Sequence, residues 1–345
     1  MMNTYKLLPH AKTLSYALFG VTLLQGANSY AAVSQSPLSL TVGVPPNLIF
    51  TLDDSGSMRE AFTPESIDGD RDTRKTRSSS YNSMYYDPAV TYKIPKRFDA
   101  NGVESGAYTT SFTNAYYNGF RQAGTVDLSS RYAASWWYNP LVNQSTSFTG
   151  TDAEYNNRQF ADNPLSDFRV VTTLNLSGSN ATNISIAGLT VRVQRSSGGT
   201  GCSATYDNTA VSCSRSGTTY TVSLAQTFVP AYYYRFNTNL SGCTGSTVAA
   251  RQANDACYEL TYVTNTSGVG GTDERQNFAI WYSFYRNRAL ATMSSARLAF
   301  SELSPSIRFT WQSLNACTTL NGTSSGCCGD NRFREFQPAQ RGRFF

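Results

Sequence analysis

Apolar residues are spaced along this chain in three ways, and each spacing predicts a different element. Leu48 to Leu52 is a short apolar run behind Pro46. It predicts a buried strand, of the parallel kind with both faces covered. A second region reads as β-rich. Ile184, Ile186, Leu189, Val191 and Val193 fall in one alternating or bulged stretch, and Tyr220, Val222 and Leu224 alternate. Tyr232–Phe236 and Tyr258–Val263 are also β-prone, with Gly, Ser and Asn turns between them. The third spacing is helical. After Gly270-Gly271-Thr272 comes Asp273-Glu274-Arg275-Gln276, a capping-box-like start with acids in the first turn. Phe278, Trp281, Tyr285, Ala289, Thr292, Ala296, Ala299 and Leu303 then recur at steps of three and four. That is one face of an amphipathic helix of about 30 residues, with a break expected near Ser294-Ser295. Pro305 ends it, and Ile307, Phe309 and Trp311 alternate as a second core strand.

The chemistry begins where the first strand ends. Asp53, Ser55 and Ser57 follow it at alternate positions around Gly56. In open α/β sheets the working groups sit just beyond the carboxyl ends of the strands. One carboxylate and two neutral hydroxyls suit a hard divalent cation and neutralise only part of its charge. Gly56 is expected to let the loop turn so that the three side chains face one point. A phosphatase of the haloacid-dehalogenase type needs a second acid where Ser55 stands. Trypsin-like chemistry at Asp54-Ser55-Gly56 needs a histidine base, and the single histidine, His10, lies in a segment expected to be removed. A plain Asp/Ser/Gly turn is the structural alternative.

This Asp-x-Ser-x-Ser after an apolar strand resembles the first motif of the metal-ion-dependent adhesion site of von Willebrand factor A (VWA) domains. The resemblance narrows further along the chain. Tyr81-Asn82-Ser83-Met84-Tyr85-Tyr86-Asp87-Pro88 and the run Glu274 to Arg288 are similar to the amino-terminal part of the PilY family of type IV pilus-biogenesis factors and pilus-tip adhesins. Tyr233-Tyr234-Arg235-Phe236 followed by Cys243 and Cys257 fits the same pattern. The resemblance implies that Ser55 and Ser57 bind metal directly and that Asp53 does so directly or through water. It implies Mg²⁺ ahead of Mn²⁺ or Ca²⁺. In the family a threonine from a later Gly-Gly-Thr-Pro-like loop and an aspartate from a later strand complete the site. Neither has a convincing counterpart here; Thr272 is expected to cap the helix instead. The implied role is pilus extension, surface attachment and twitching motility, with minor pilins and an extracellular or host surface ligand as partners. The alternative is a secreted VWA-type binding module not tied to pili. Neither is an enzyme.

The expected fold is α/β: an incomplete VWA core, Rossmann-like and doubly wound, carrying a large β-rich, disulfide-stapled insertion. Residues 1–31 form a signal peptide, with Lys6 and Lys12 before the apolar stretch Leu14 to Leu24 and small residues at Ala31. Residues 32–58 hold the lead-in, first strand and metal loop, 59–271 the insertion, and 272–345 the first core helix, second strand and tail. The chain reads as the amino-terminal portion of a longer protein that would include a β-propeller.

Composition sharpens this picture. Charged residues make up only 15% and aromatics 13% of the 345, which suits a secreted surface protein. Loss of Lys6 and Lys12 with the leader lowers the formal charge from +5 to +3, with no basic block to mark a nucleic-acid partner. Localisation is expected in the periplasm, at the outer-membrane surface or at the pilus tip, peripheral to the membrane at most. Export gives the seven cysteines meaning. Short separations pair Cys202 with Cys213 and Cys243 with Cys257. Cys317 is left with Cys327 or Cys328, and one thiol is over. Asp68-Gly69-Asp70-Arg71-Asp72 has the alternate acids of a calcium loop but Ser79 where the twelfth-position Glu belongs, and reads as a solvated loop. Trp136-Trp137-Tyr138 reads as a core anchor.

Overall fold

A computed structural model describes residues 45–71, 73–139, 165–197, 199, 201–206, 208–224, 230–315, 317–320, 322 and 331–345. The expected leader and most of the lead-in, Asp72, Cys327 and Cys328 lie outside the described residues. The elements below belong to one compact unit, Asn47–Phe345.

The strand β1, Asn47–Leu52, forms as expected, and its main partner comes from the far end of the chain. The strand later named β14, Arg308–Ser313, lies parallel to it from Asn47↔Arg308 to Leu52↔Ser313. A two-residue strand, Arg334–Glu335, pairs antiparallel with β14 and completes a three-stranded sheet. Of the doubly wound core expected from the sequence, the described residues hold this one parallel pair. One expectation is corrected. Among the described residues β1 is an edge strand, and its residues alternate between exposed and half-buried, with Ile49 47% exposed. The covered face is that of Phe50, which meets Phe300 at 5.1 Å and Phe344 at 5.8 Å.

The connection between β1 and β14 opens with short hairpins, β2 (Lys96–Phe98) with β3 (Glu104–Ala107) and β4 (Ala115–Asn118) with β5 (Ala123–Val126). A six-stranded antiparallel sheet follows, built from β6 (Arg169–Thr173), β7 (Ala181–Ile186), β8 (Leu189–Arg195), β9 (Cys202–Tyr206), β10 (Thr209–Ser216) and β11 (Thr219–Ser223). Its order is β6-β11-β10-β9-β8-β7. The alternation read from the sequence places Leu189, Val191, Val193, Tyr220 and Val222 on the buried face. Ala187 and Gly188 turn β7 into β8 with positive φ of 47° and 92°, the two-residue hairpin geometry. Next come β12 (Tyr232–Phe236) and β13 (Tyr258–Tyr262), an antiparallel pair joined through the helix α1 (Val248–Gln252).

Both short-range disulfides are present, Cys202–Cys213 and Cys243–Cys257. The first staples the six-stranded sheet and the second lies in the β12–β13 connection, and both pack against the same core. Cys317 is also disulfide-bonded.

The long helix is two helices, α2 (Arg275–Phe284) and α3 (Arg288–Phe300). The break falls at Tyr285–Asn287, not at Ser294-Ser295. Asn287 leaves helical geometry at φ −138° and caps α3, its side chain accepting from Leu290 N at 2.9 Å. Its amide also donates to Tyr138 O at 2.7 Å, a partner outside the helix. Ser294 stays helical and donates to Phe284 O at 2.6 Å. After β14 and β15 (Arg334–Glu335), the helix α4 (Pro338–Phe344) packs Phe344 on Phe309 at 4.9 Å.

Helix α2 organises the aromatic core. Phe278, Trp281, Tyr282 and Phe284 are buried. Asn277 donates to Tyr86 Oη and Val90 O and accepts from Tyr92 N, and Trp281 Nε1 donates to Met84 O. The Tyr-rich segment 81–92 is therefore held against this helix and serves packing. The acids of 68–70 are paired with bases, Asp68 with Arg71 and Asp70 with Lys75. Trp137 and Tyr138 are buried, as a core anchor requires.

The two ends of the 59–287 excursion meet. Tyr138 N donates to Arg59 O, and Arg288 N to Glu60 O at 3.1 Å. The Arg288 guanidinium reaches Glu60 at 3.1 Å and donates to Phe62 O at 2.9 Å.

Candidate metal site

The strand β1 ends at Leu52 and hands the chain to a loop that its own polar groups shape. Asp53 Oδ1 accepts from Ser55 N at 2.8 Å, closing a turn in which the acid mimics a carbonyl. Ser55 then keeps extended backbone, φ −66° and ψ 164°, before a 3₁₀ turn over Gly56–Arg59. Met58 N donates to Ser55 O and Glu60 N to Ser57 O. These bonds bring the Ser55 and Ser57 hydroxyl oxygens to 3.0 Å. Asp53, Ser55 and Ser57 are all half-buried. Gly56 has ordinary backbone and open space around it, so this turn does not depend on a glycine there, contrary to expectation.

The loop rests on α3. Leu52, Met58 and Arg59 face Ala289 and Met293 across a small cavity of about 60 Å³, with Asp53, Asp54 and Ser55 at its edge. Asp54, given no part in the expected metal site, ties the ends of the two parallel strands. Its Oδ1 accepts from Asn315 N at 2.8 Å and Asn315 Nδ2 at 3.0 Å, while Leu314 N donates to Leu52 O. The doubled acid at 53–54 was the available signal: one carboxylate faces the loop and the other the neighbouring strand. Burial pushes the Glu60 carboxyl up, against the opposing pull of Arg288.

Among the described residues no cluster of three or more His, Cys, Asp or Glu side chains exists. A cation held at the end of β1 would rest on hydroxyls and one carboxylate, a donor set suited to hard ions and poor for zinc. Thr272 is engaged in its own turn, its hydroxyl donating to Val269 O at 3.0 Å. It does not cap α2, whose first position follows Glu274.

Known proteins resemble this chain over nearly all of its length. The type IV pilus biogenesis factor PilY1 of Pseudomonas aeruginosa strain PAK is 32% identical over 339 residues, which cover 96% of this chain and 22% of the relative. Over this span the chain is a relative of PilY1. The protein of the same name from strain PAO1 is 33% identical over 342 residues, and that from strain UCBPP-PA14 is 31% identical over 341. The chain thus spans about a fifth of the length of the curated relatives it matches. No protein-family model and no solved structure matches it. The relatives carry the name of a pilus biogenesis factor and not that of an enzyme. Among the described residues no helix is long and apolar enough to cross a membrane.

Proposed function

We propose that this chain is the cation-binding, adhesive part of a type IV pilus biogenesis factor. Similarity to three PilY1 proteins along 96–97% of the chain supports the pilus role. The proposed frame is a VWA-type core in which β1 and β14 are the first two strands, α2 and α3 lie between them, and residues 59–271 are inserted. The polypeptide is exported, with residues 1–31 as its leader. It acts in the periplasm, at the outer-membrane surface or at the pilus tip, and it supports pilus extension, attachment and twitching. Minor pilins and an extracellular surface ligand are the partners.

Asp53, Ser55 and Ser57 hold a divalent cation in this reading. The observation that carries it is the 3.0 Å separation of the two hydroxyl oxygens. Adjacent oxygens of an octahedron with Mg–O of ~2.1 Å stand roughly 3.0 Å apart, against roughly 3.4 Å for Ca–O of ~2.4 Å. The two hydroxyls, which bond each other at that spacing, can accommodate Mg²⁺, or Mn²⁺ of similar size, without moving apart. When bound, the cation supplies an electrophilic centre for a carboxylate of the partner. Asp53 Oδ1 keeps the loop closed through Ser55 N, which leaves Oδ2 to face the cation directly or through water. The Asp54–Asn315 bonds hold the loop over the strand ends.

The test uses the full-length protein. Calorimetric titration with Mg²⁺ and Mn²⁺ should show one site that Asp53→Ala and Ser55→Ala weaken by at least about tenfold, the loss of one charge-assisted ligand. Unchanged affinity in both variants would remove the site. Co-purification with sheared pili tests the pilus half separately; retained metal binding without pili would leave the secreted VWA-type module.

A further inference from the structure

A second place in the molecule has the form of a binding site and no share in the cation loop. A cleft of about 580 Å³ opens over β12, inside the ~300–1,000 Å³ range of small-ligand sites. Ser78, Ser79 and Ser80 with Asp87 form one side, the 266–271 loop the other, and Arg235 and Phe236 line the cleft from β12.

The floor is rigid. Arg235 donates through Nε and Nη2 to Tyr233 Oη at 3.1 and 2.8 Å, and through Nη2 to Ser267 O. Tyr233 Oη donates in turn to buried Glu274 at 3.1 Å. Glu274 also takes the Tyr86 hydroxyl at 3.2 Å and the Ser267 hydroxyl. Arg235 Nη1 has no hydrogen bond to a described residue. Asp87, in the same lining, accepts through Oδ1 from Ala89 N at 2.9 Å, leaving Oδ2. Main-chain groups add to this. Val263 N donates to Ala231 O and Asn237 N to Cys257 O, so by the alternation of an antiparallel ladder those of Tyr234 and Phe236 face away from β13.

The chemistry selects a ligand class. One acid and one base leave no surplus charge for a polyanion or polycation. The Ser78 and Ser80 hydroxyls bond each other and Ser267 is held by Glu274, so Ser79 and Thr266 are the hydroxyls on offer; a hydroxyl both donates and accepts, which suits a partner that is itself rich in hydroxyls. Phe236 offers a half-buried ring, tilted on Tyr258 at 5.5 Å, for the C–H face of such a partner. An extended peptide would want a series of side-chain pockets, and the cleft is walled by serines and glycines. We propose that this cleft binds a neutral oligosaccharide, fixed by Asp87 and Arg235 and stacked on Phe236.

Titration of the full chain with chitotriose, maltotriose and mannotriose, read by saturation-transfer NMR and calorimetry, tests it. At least one should bind at millimolar concentration or tighter, and binding should persist in EDTA. Asp87→Asn, which keeps the oxygen that accepts the Ala89 N–H, should weaken binding about tenfold, the scale of one charge-assisted bond. Ser79→Trp should block the cleft. No binding by any of the three, equal binding in both folded variants, loss in EDTA, or preference for a heparin oligosaccharide or an alternating Thr/Val octapeptide would overturn the proposal. Circular dichroism checks each variant's fold, and Asp87→Asn decides alone if Ser79→Trp does not fold.

Discussion

Raising the pH through the tyrosine range should unfold this chain cooperatively. Tyr86, Tyr117, Tyr233, Tyr234 and Tyr258 are each no more than 3% exposed. Burial is the main cause that raises all five phenols above their ordinary range, Tyr258 to about 12. The Glu274 carboxylate adds to the effect at Tyr86 and Tyr233, and Asp167 at Tyr234. In the unfolded chain the same phenols ionise near ~10. Above that value the unfolded state binds fewer protons than the native one, so stability falls as pH rises. It is fully present below ~10. One pH unit higher, each phenol has cost about 1.4 kcal/mol, and five together about 7 kcal/mol. That matches the ~5–15 kcal/mol total stability of an ordinary domain. Near-ultraviolet phenolate absorbance and circular dichroism, followed together, check it. The more accessible of the 22 tyrosines should titrate first with structure intact, and the buried set should ionise in one step with loss of the dichroism. Smooth titration of all tyrosines near ~10 with unchanged near-ultraviolet dichroism would refute the reasoning.

Three substitutions probe the packing. Asn287→Ala removes both the α3 cap and the buried bond to the Tyr138 carbonyl, and should cost about 2–3 kcal/mol in urea unfolding. Gly119→Ala places a Cβ 2.2 Å from the Phe284 ring, so calorimetry should show a loss of about 1–3 kcal/mol as the ring is displaced. Replacing Cys243 and Cys257 together by serine opens a loop of sequence separation 14 and should lower stability by about 3 kcal/mol, read as a drop in Tm.

Local features were the legible ones. Cys202–Cys213 and Cys243–Cys257 follow from short separations, β7, β8 and β11 from alternation within a few residues, and β12 and β13 from runs of β-prone residues. The apolar run of β1 was readable too, but its surroundings were not, because the covering of a strand depends on partners elsewhere in the chain. The helix break escaped for the same reason. The 3.6-residue periodicity continues through Tyr285–Asn287, and what stops the helix there includes a bond from Asn287 to Tyr138, 149 residues earlier. At the site, the spacing of Asp53, Ser55 and Ser57 was visible. The anchoring of Asp54 on Asn315 was not, since the register of β1 on β14 had first to be known. The cleft over β12 draws its sides from residues 78–88 and 266–271, which no local pattern joins.

The meeting of Glu60 with Arg288 gives the molecule a doorway. More than two hundred residues leave and return through it, yet the sheet senses only a short crossing. A pull on residues 61–287 would load that doorway before it loaded the ladder between β1 and β14. Stretched by single-molecule tweezers between the six-stranded sheet and β1, the chain should therefore yield at the doorway as a separate event while the strands stay in register.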